Sequence, residues 1–424
     1  MNGAHIQHFL RPGHLRIDCE TYVRLRPTYQ GLILNAPSLI NRSEASDFLR
    51  ALETETPFLI DPRTFALATT RGELQNPDNR KLKQSWVHLL HAYGVNESSL
   101  PLDPETVKVY GQQLVERTIQ FQLTCVMPQS QMNLFGTVYA HEPIALVAPY
   151  FAVTAKADPW LPVNLELARA TKRVADNRRA YAVLQLHRPL LSLHYQLDAI
   201  VGQFAALPVD GFLLWIDGFH EREATVEEVQ SLRAILGALR QPGSRPIINM
   251  YGGYLSALLR HWGLSGFCHR HDGGESRKFT PVGGGPIDVR YYLPALHRHY
   301  TVDIMESYLK RREIEAVPQF LSAICDCVIC RGITRDGLNG FTQNYAAREI
   351  KNGRLQATHW AKSLAASHFM LSRHRELKTV QDTQPEILLE QLVANARDYR
   401  DPLLVDKAMV DTNHLRVWSQ GLTT

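Results

Sequence analysis

Short apolar runs alternate along this chain with longer stretches in which apolar residues recur every three or four positions. The short runs fall at residues 31–34, 58–61, 121–125, 144–151, 181–186, 211–216, 246–250 and 264–268. Helical periodicity separates most of them. In 165–177 it is carried by Leu165, Leu167, Ala168, Thr171, Val174 and Ala175, and it recurs in 226–239. Strands alternating with helices build βαβ units and a parallel sheet. Eight strands over roughly 270 residues predict a (β/α)₈ TIM barrel, which typically takes about 250. Two of the eight, 31–34 and 121–125, carry the weakest strand signal, so an open α/β sheet is the alternative. Two more helical patterns, 358–377 and 385–399, follow the barrel region. The predicted division is residues 1–300 as the barrel and 301–424 as a C-terminal helical appendage.

Composition narrows the setting. The chain has 424 residues, 45% hydrophobic and 21% charged, enough to bury a substantial core. Six cysteines in this length do not make a disulfide scaffold and fit a reducing compartment, so a cytoplasmic protein is expected. The first twenty residues hold no apolar signal core, and no run approaches the roughly 20 apolar residues of a membrane span. A net charge of +4 is compatible with a nucleic-acid partner without requiring one.

Half of the cysteines lie in one short stretch, Cys325-Asp-Cys327-Val-Ile-Cys330. Three thiolates with one imidazole make a closed tetrahedral set suited to a structural Zn²⁺. The competing explanation is a chance cluster of buried thiols. For the fourth ligand the sequence favours His359, in Thr358-His359-Trp360, with His368 and His374 further along the same helical run.

In a (β/α)₈ barrel, chemistry sits at the C-terminal ends of the strands. Those ends carry Asp61, Asp158, Gln185, Asp217-Gly218, Tyr251-Gly252-Gly253 and Cys268-His269. Taken singly, each is better read as a helix cap or a turn residue. Taken together, polar residues placed directly after apolar runs predict a ligand pocket.

An eight-stranded barrel followed by a C-x-C-x-x-C…H pattern resembles the tRNA-guanine transglycosylase (queuine tRNA-ribosyltransferase) superfamily, including its DNA 7-deazaguanine-inserting relatives. The cysteine pattern is the specific part. Phe58-Leu-Ile-Asp61 is similar to the strand that ends in the family's first catalytic aspartate. Asp158-Pro159 sits where the family has a base-recognising aspartate, and Gln185 is similar to its strand-five glutamine. Met250-Tyr-Gly-Gly253 is similar to the end of its strand seven. Three departures accompany these matches. Asp61 is followed by Pro62-Arg63-Thr64 instead of Ser-Gly-Gly, Asp217-Gly218 replaces a double glycine, and Cys268 stands at the strand-eight nucleophile position.

The resemblance implies exchange of guanine in DNA or tRNA for a 7-deazaguanine, with structural zinc and pairing into a homo- or heterodimer. A retaining displacement at a sugar carbon needs one carboxylate as nucleophile and a second group for proton transfer. Asp61 and Asp272 are the candidates, with Asp217 as substitute; a soft Cys268 thiolate matches an oxocarbenium-like carbon badly. Asp158, Gln185, Gly218, Tyr251, Gly252 and Cys268 would line the base pocket. Candidate phosphate contacts are Arg80-Lys81-Lys83, Lys172-Arg173 with Arg178-Arg179, Lys310-Arg311-Arg312 and Arg373-Arg375-Lys378, each of which, taken singly, is more often a solvated helix face. Gly283-Gly284-Gly285 is a candidate phosphate nest or a plain turn. Two other function classes stand beside base exchange. One is a silent barrel that binds nucleic acid or a partner. The other is an unrelated barrel hydrolase with a second metal at His269 and His271.

Overall fold

The computed structural model describes residues 6–52, 56–69, 74–76, 81–126, 142–240, 244–279, 289–351, 354–400 and 410–423. Eight strands form one all-parallel sheet: β1 Gln7–Leu10, β2 Gly31–Asn35, β3 Phe58–Asp61, β4 Leu146–Val147, β5 Ala180–His187, β6 Gly211–Asp217, β7 Ile247–Asn249 and β8 Gly266–His269. Their order is β3-β2-β1-β8-β7-β6-β5-β4, so every strand except β4 neighbours its predecessor and the first pairs with the last. The two edges, β3 and β4, are consecutive in the chain. There the Ile144 N–H donates to the Phe58 carbonyl at 2.9 Å, and the sheet is a nearly closed barrel. Helices follow the strands, among them Leu15–Leu25, Arg42–Ala51, Trp160–Val174 and His194–Ala205. A sheet covered on both faces needs strands that are apolar throughout, and β5 is buried along all but its last residue.

Seven of the expected strands are present, and 121–125 is corrected. That apolar run is the end of a 21-residue helix, Pro104–Thr124. Asp103 caps the helix by accepting from the Thr106 N–H at 2.9 Å, and Pro104 stands in its first turn, where a missing N–H costs nothing. At its far end Gln122 is buried and exchanges two 2.8 Å hydrogen bonds with the Val147 backbone, which ties the helix to β4. The eighth strand is instead β1, four residues whose Gln7 and His8 hide it from a search for apolar runs.

Close packing at the strand starts explains three glycines. A Cβ on Gly31 would lie 2.6 Å from the Phe9 ring and 2.8 Å from the Pro57 carbonyl. On Gly211 it would lie 2.6 Å from the Tyr181 ring and 2.9 Å from the Pro246 carbonyl, and on Gly266 2.8 Å from the Gln7 carbonyl. Large rings on the neighbouring strands fill the space these glycines leave.

The described residues within Met1–His220, Ser231–Arg270 and Gly274–Val282 form one compact unit, and those within Glu221–Gln230, His271–Gly273 and Gly283–Thr424 form a second. The first holds the barrel. The second holds two antiparallel hairpins, β9 Arg290–Leu293 with β10 Arg298–Thr301 and β11 Arg348–Lys351 with β12 Arg354–Ala357. It also holds the helices Val328–Ile333, His359–Asp382, Pro385–Asp398 and Asn413–Thr423. Its core is aromatic: Tyr291 packs edge-on against Phe341 and Tyr345, and Tyr292 against Phe369. Among the described residues, no helix is long and apolar enough to cross a membrane.

Gly211→Ala should cost about 1–3 kcal/mol, the usual range for overpacking a filled core. It should appear as a lower urea midpoint at unchanged slope. Gly237, in helix Val226–Arg240, is the control, because among the described residues nothing would lie within 4 Å of a Cβ there. There alanine should stabilise by about 0.5–1 kcal/mol through helix propensity.

Candidate functional site

The C-terminal ends of the barrel strands converge on one carboxylate. Asp61 ends β3 and is fully buried. Arg11, just beyond β1, reaches across with its Nη1, donating to Asn35 Oδ1 at 2.7 Å and to Asp61 Oδ2 at 2.8 Å. The Tyr150 hydroxyl donates to Asp61 Oδ1 at 2.7 Å, and the Arg63 backbone N–H does so at 3.0 Å. Arg63 sits at φ 56, in the left-handed region where glycine would be free of strain. That turn adds a second guanidinium beside the carboxylate. Burial works against the charged form of Asp61, but Arg11, Arg63 and the hydrogen bonds outweigh it and hold the carboxyl below its usual range. Asp61 is therefore an ionised, clamped acceptor.

Further around the mouth, Tyr251 lies under Arg11, whose guanidinium carbon is 4.6 Å from the ring centroid. Trp215 packs against both Tyr251 and Phe65. The segment carrying Arg277 and Phe279 is pinned to the end of β6. Asp217 accepts from the Phe279 N–H at 2.6 Å, and the Arg277 carbonyl accepts from the Gly218 N–H at 2.8 Å and from Trp215 Nε1 at 3.2 Å. Burial, with Arg63 and Arg11 close by, pushes Arg277 down to about 8. Neither Arg11 nor Arg277 was foreseen from the sequence.

The predicted pocket residues divide into those the mouth uses and those the scaffold uses. Gln185 is fully buried, and neither of its amide atoms has a hydrogen-bond partner among the described residues. Its register neighbour on β6 is Trp215, so the two share a face of the sheet. Asp158, by contrast, is fully occupied as a turn and helix cap, accepting from the Thr154 N–H (2.7 Å), the Thr154 hydroxyl (2.6 Å) and the Trp160 N–H (2.9 Å). Gly252 is a packing glycine, since a Cβ there would lie 2.2 Å from Ser256 Oγ. Gly218 stands at φ 62 in the turn that receives the Arg277 segment. Asp217 is half-buried; burial raises it, against the opposing Phe279 N–H, His187 and Lys278.

Three further predicted site positions lie at or just beyond the end of β8. Asp272 is an exposed turn residue of the second unit. Cys268 is fully buried beside Arg11, and burial raises its thiol to about 11, so it is protonated at neutral pH. His269 faces His8 at 2.9 Å between their Nε2 atoms.

The cysteine cluster closes on a different histidine from the one expected. The ligand atoms of Cys325, Cys327, Cys330 and His368 all lie within 4.8 Å of one another, and the group could hold a metal ion. His368 Nδ1 is 3.3 Å from Cys327 Sγ and 3.6 Å from Cys330 Sγ. His368 Nε2 faces the Tyr292 carbonyl at 2.7 Å, and the Tyr291 ring stacks on the imidazole at 4.4 Å. Donation from Nε2 leaves Nδ1 as the ligand atom, the usual arrangement for a metal-binding histidine. The Cys330 N–H donates to Cys327 Sγ at 3.4 Å, and the Cys327 N–H to Cys325 Sγ at 3.5 Å, folding the three thiols into a knuckle at the start of helix Val328–Ile333. Hydrogen bonds with Cys325 and Cys330 hold the Cys327 thiol below its usual range. His359 is exposed at the first position of helix His359–Asp382, nine residues and about 13 Å of helix rise from His368. His374 is exposed as well. Among the described residues this is the one cluster of three or more such ligands, and His269 and His271 are not part of it.

Several members of the expected phosphate-contact clusters are held in ion pairs. Lys172 bonds Asp210, Arg173 bonds Glu166, Arg178 bonds Glu142 and Arg375 bonds Asp326. Arg373 is fully buried against Glu376, which also accepts from the Tyr292 hydroxyl. Arg80 and Gly283-Gly284-Gly285 lie outside the described residues.

Asp61→Asn should destabilise the chain by about 3–5 kcal/mol, because it leaves Arg11 buried without its counter-ion. The sign of its pH dependence follows from the depressed folded value. The pairing contributes fully above about pH 4, near the unfolded value, and fades as the pH falls through the lower folded one. In urea titrations, the gap between the two proteins should therefore narrow as the pH falls below about 4. At the cysteine cluster, Cys327→Ser and His368→Ala should lose bound metal and lower Tm, whereas His359→Ala should retain both; elemental analysis beside thermal melts reads this directly.

No family model matches the chain, and no curated protein matches it.

Proposed function

We propose that this chain is a transglycosylase-type barrel that binds a guanine-like base of DNA or tRNA at its strand ends and does not exchange it by double displacement. The observation that carries the reading is one conjunction in one chain. An all-parallel eight-stranded barrel has a polar cluster centred on Asp61 at its strand ends, and a Cys₃His group follows its last strand. The metal is Zn²⁺ in a structural role, because three thiolates and an imidazole fill a tetrahedral shell and leave no open position for substrate. Gln185 supplies both a donor and an acceptor, the complement a purine edge requires.

Silence at the base-exchange step is supported by the same cluster. Double displacement needs a nucleophile and a proton-transfer group within reach of the same sugar carbon. Asp61 is held by Arg11, Tyr150 and the Arg63 backbone, Cys268 is a buried neutral thiol, and Asp217 is engaged with the Phe279 N–H. A silent barrel of this kind would act by holding nucleic acid or by pairing with a second copy or an active partner.

Radiolabelled guanine offered with tRNA and with duplex DNA to zinc-loaded protein should enter neither. A mobility shift should appear with one of the two polymers. Incorporation into either would replace this reading with base exchange, and Asp61→Asn should then abolish it.

A further inference from the structure

We propose that the barrel mouth binds a small planar ligand bearing a terminal oxyanion, a carboxylate or a phosphomonoester, whose anionic group docks on Arg11. This rests on the strand ends being a ligand site, as proposed above, but not on that ligand being part of a nucleic acid.

The geometry of Arg11 is the main argument. Its Nη1 is committed to Asn35 and Asp61. Its Nε and Nη2 are buried and have no hydrogen-bond acceptor among the described residues. Nε and Nη2 form the side edge of the guanidinium, the pair of parallel N–H bonds that meets a carboxylate or phosphate in bidentate fashion. The Tyr251 ring beneath the plane fixes the direction of that edge. The Cys268 thiol lies beside the same group but is a weak acceptor.

Two more unpartnered groups share this part of the barrel. The Tyr251 hydroxyl and both amide atoms of Gln185 are buried and have no partner among the described residues. Buried polar groups in folded proteins are nearly always satisfied, and each one left alone costs about 1–3 kcal/mol. Ordered water could satisfy Gln185 and Tyr251. It would bring no negative charge to Arg11, which shares the Asp61 carboxylate with the Tyr150 hydroxyl and the Arg63 N–H. An oxyanion answers both the hydrogen bonds and the charge.

Depth sets the kind of anion. Arg11 is 3% exposed, and Gln185 and Asp61 are 0% exposed. A phosphodiester within a polymer must lead chain away on two sides, which groups this buried do not permit. A terminal group enters from one side only. The aromatic floor of Trp215 and Tyr251 then suits a planar body attached to it.

The test uses full-length zinc-loaded protein at constant ionic strength, with purine-6-carboxylate, phenyl phosphate and the neutral purine-6-carboxamide as probes. One of the two anions should bind with at least tenfold higher affinity than the carboxamide by calorimetry, and which one binds separates carboxylate from phosphate ligands. Arg11→Gln should remove that preference. If it fails to fold, Arg277→Gln, outside the Asp61 clamp, should weaken anion binding several-fold with little change in carboxamide binding. Equal binding of the neutral and anionic probes, no binding of either anion, or anion binding unchanged in both variants would overturn the proposal. A missing nucleic-acid shift alongside preserved anion binding would instead count against the nucleic-acid reading alone.

Discussion

The buried pair between Arg11 and Asp61 is the constraint on which the open end of this barrel depends. It joins the residue after β1 to the last residue of β3, and through Asn35 it takes in β2 between them. The desolvation of two such ions costs several kcal/mol each, recovered only when geometry and further hydrogen bonds are good. Tyr150 and the Arg63 backbone supply those further bonds, and Tyr150 is itself tied to Thr64 through two hydrogen bonds of 2.7 and 2.8 Å. The site residues are therefore also the residues that order the strand ends. Replacing any one of them tests stability and binding together, so binding experiments need a partner such as Arg277 that lies outside the clamp.

The fold was largely legible because parallel strands covered on both faces announce themselves as apolar runs. β5 and β6 are the clearest, at eight and seven residues. Legibility failed where length and composition worked against it. β1 contributes four residues, two of them polar, and its His8 is buried through contacts made far along the chain, to Thr28 and His269. The apolar end of helix Pro104–Thr124 mimicked a strand because its last turns pack on β4. The Asp103-Pro104 pair at its start was the available signal of a helix.

The candidate site was legible by residue type at strand ends, and less so by role. Asp61 and Gln185 were found because each follows a strand. Arg11 was missed because the strand before it was missed, and a single arginine otherwise reads as a surface charge. Arg277 reaches the mouth only through the docking of its segment on Asp217, Gly218 and Trp215, a long-range arrangement that no local pattern encodes. The cysteines declared themselves by spacing, but the histidine did not. His359 has the nearer position in sequence, whereas His368 shares the buried helix face of Ala361, Leu364 and Ser372. Helical periodicity, which places residues seven or so apart on one side, was the signal that discriminates between them.

The metal group and the barrel mouth obey opposite electrostatic logics, which is why one reads as structure and the other as recognition. At the cysteine cluster, ligand atoms that would repel one another as thiolates are gathered within 4.8 Å, an arrangement that a divalent cation stabilises from its centre. The second ring nitrogen of His368 is already spoken for by the Tyr292 carbonyl, so nothing in that set is left over for a substrate. At the strand ends, Arg11 and Arg63 stand beside the Asp61 carboxylate, and donors on Arg11, Tyr251 and Gln185 have no partner among the described residues. A closed set of donors holds the chain together. An incomplete one, buried and positively biased, is the form a binding site takes when its missing member is the ligand.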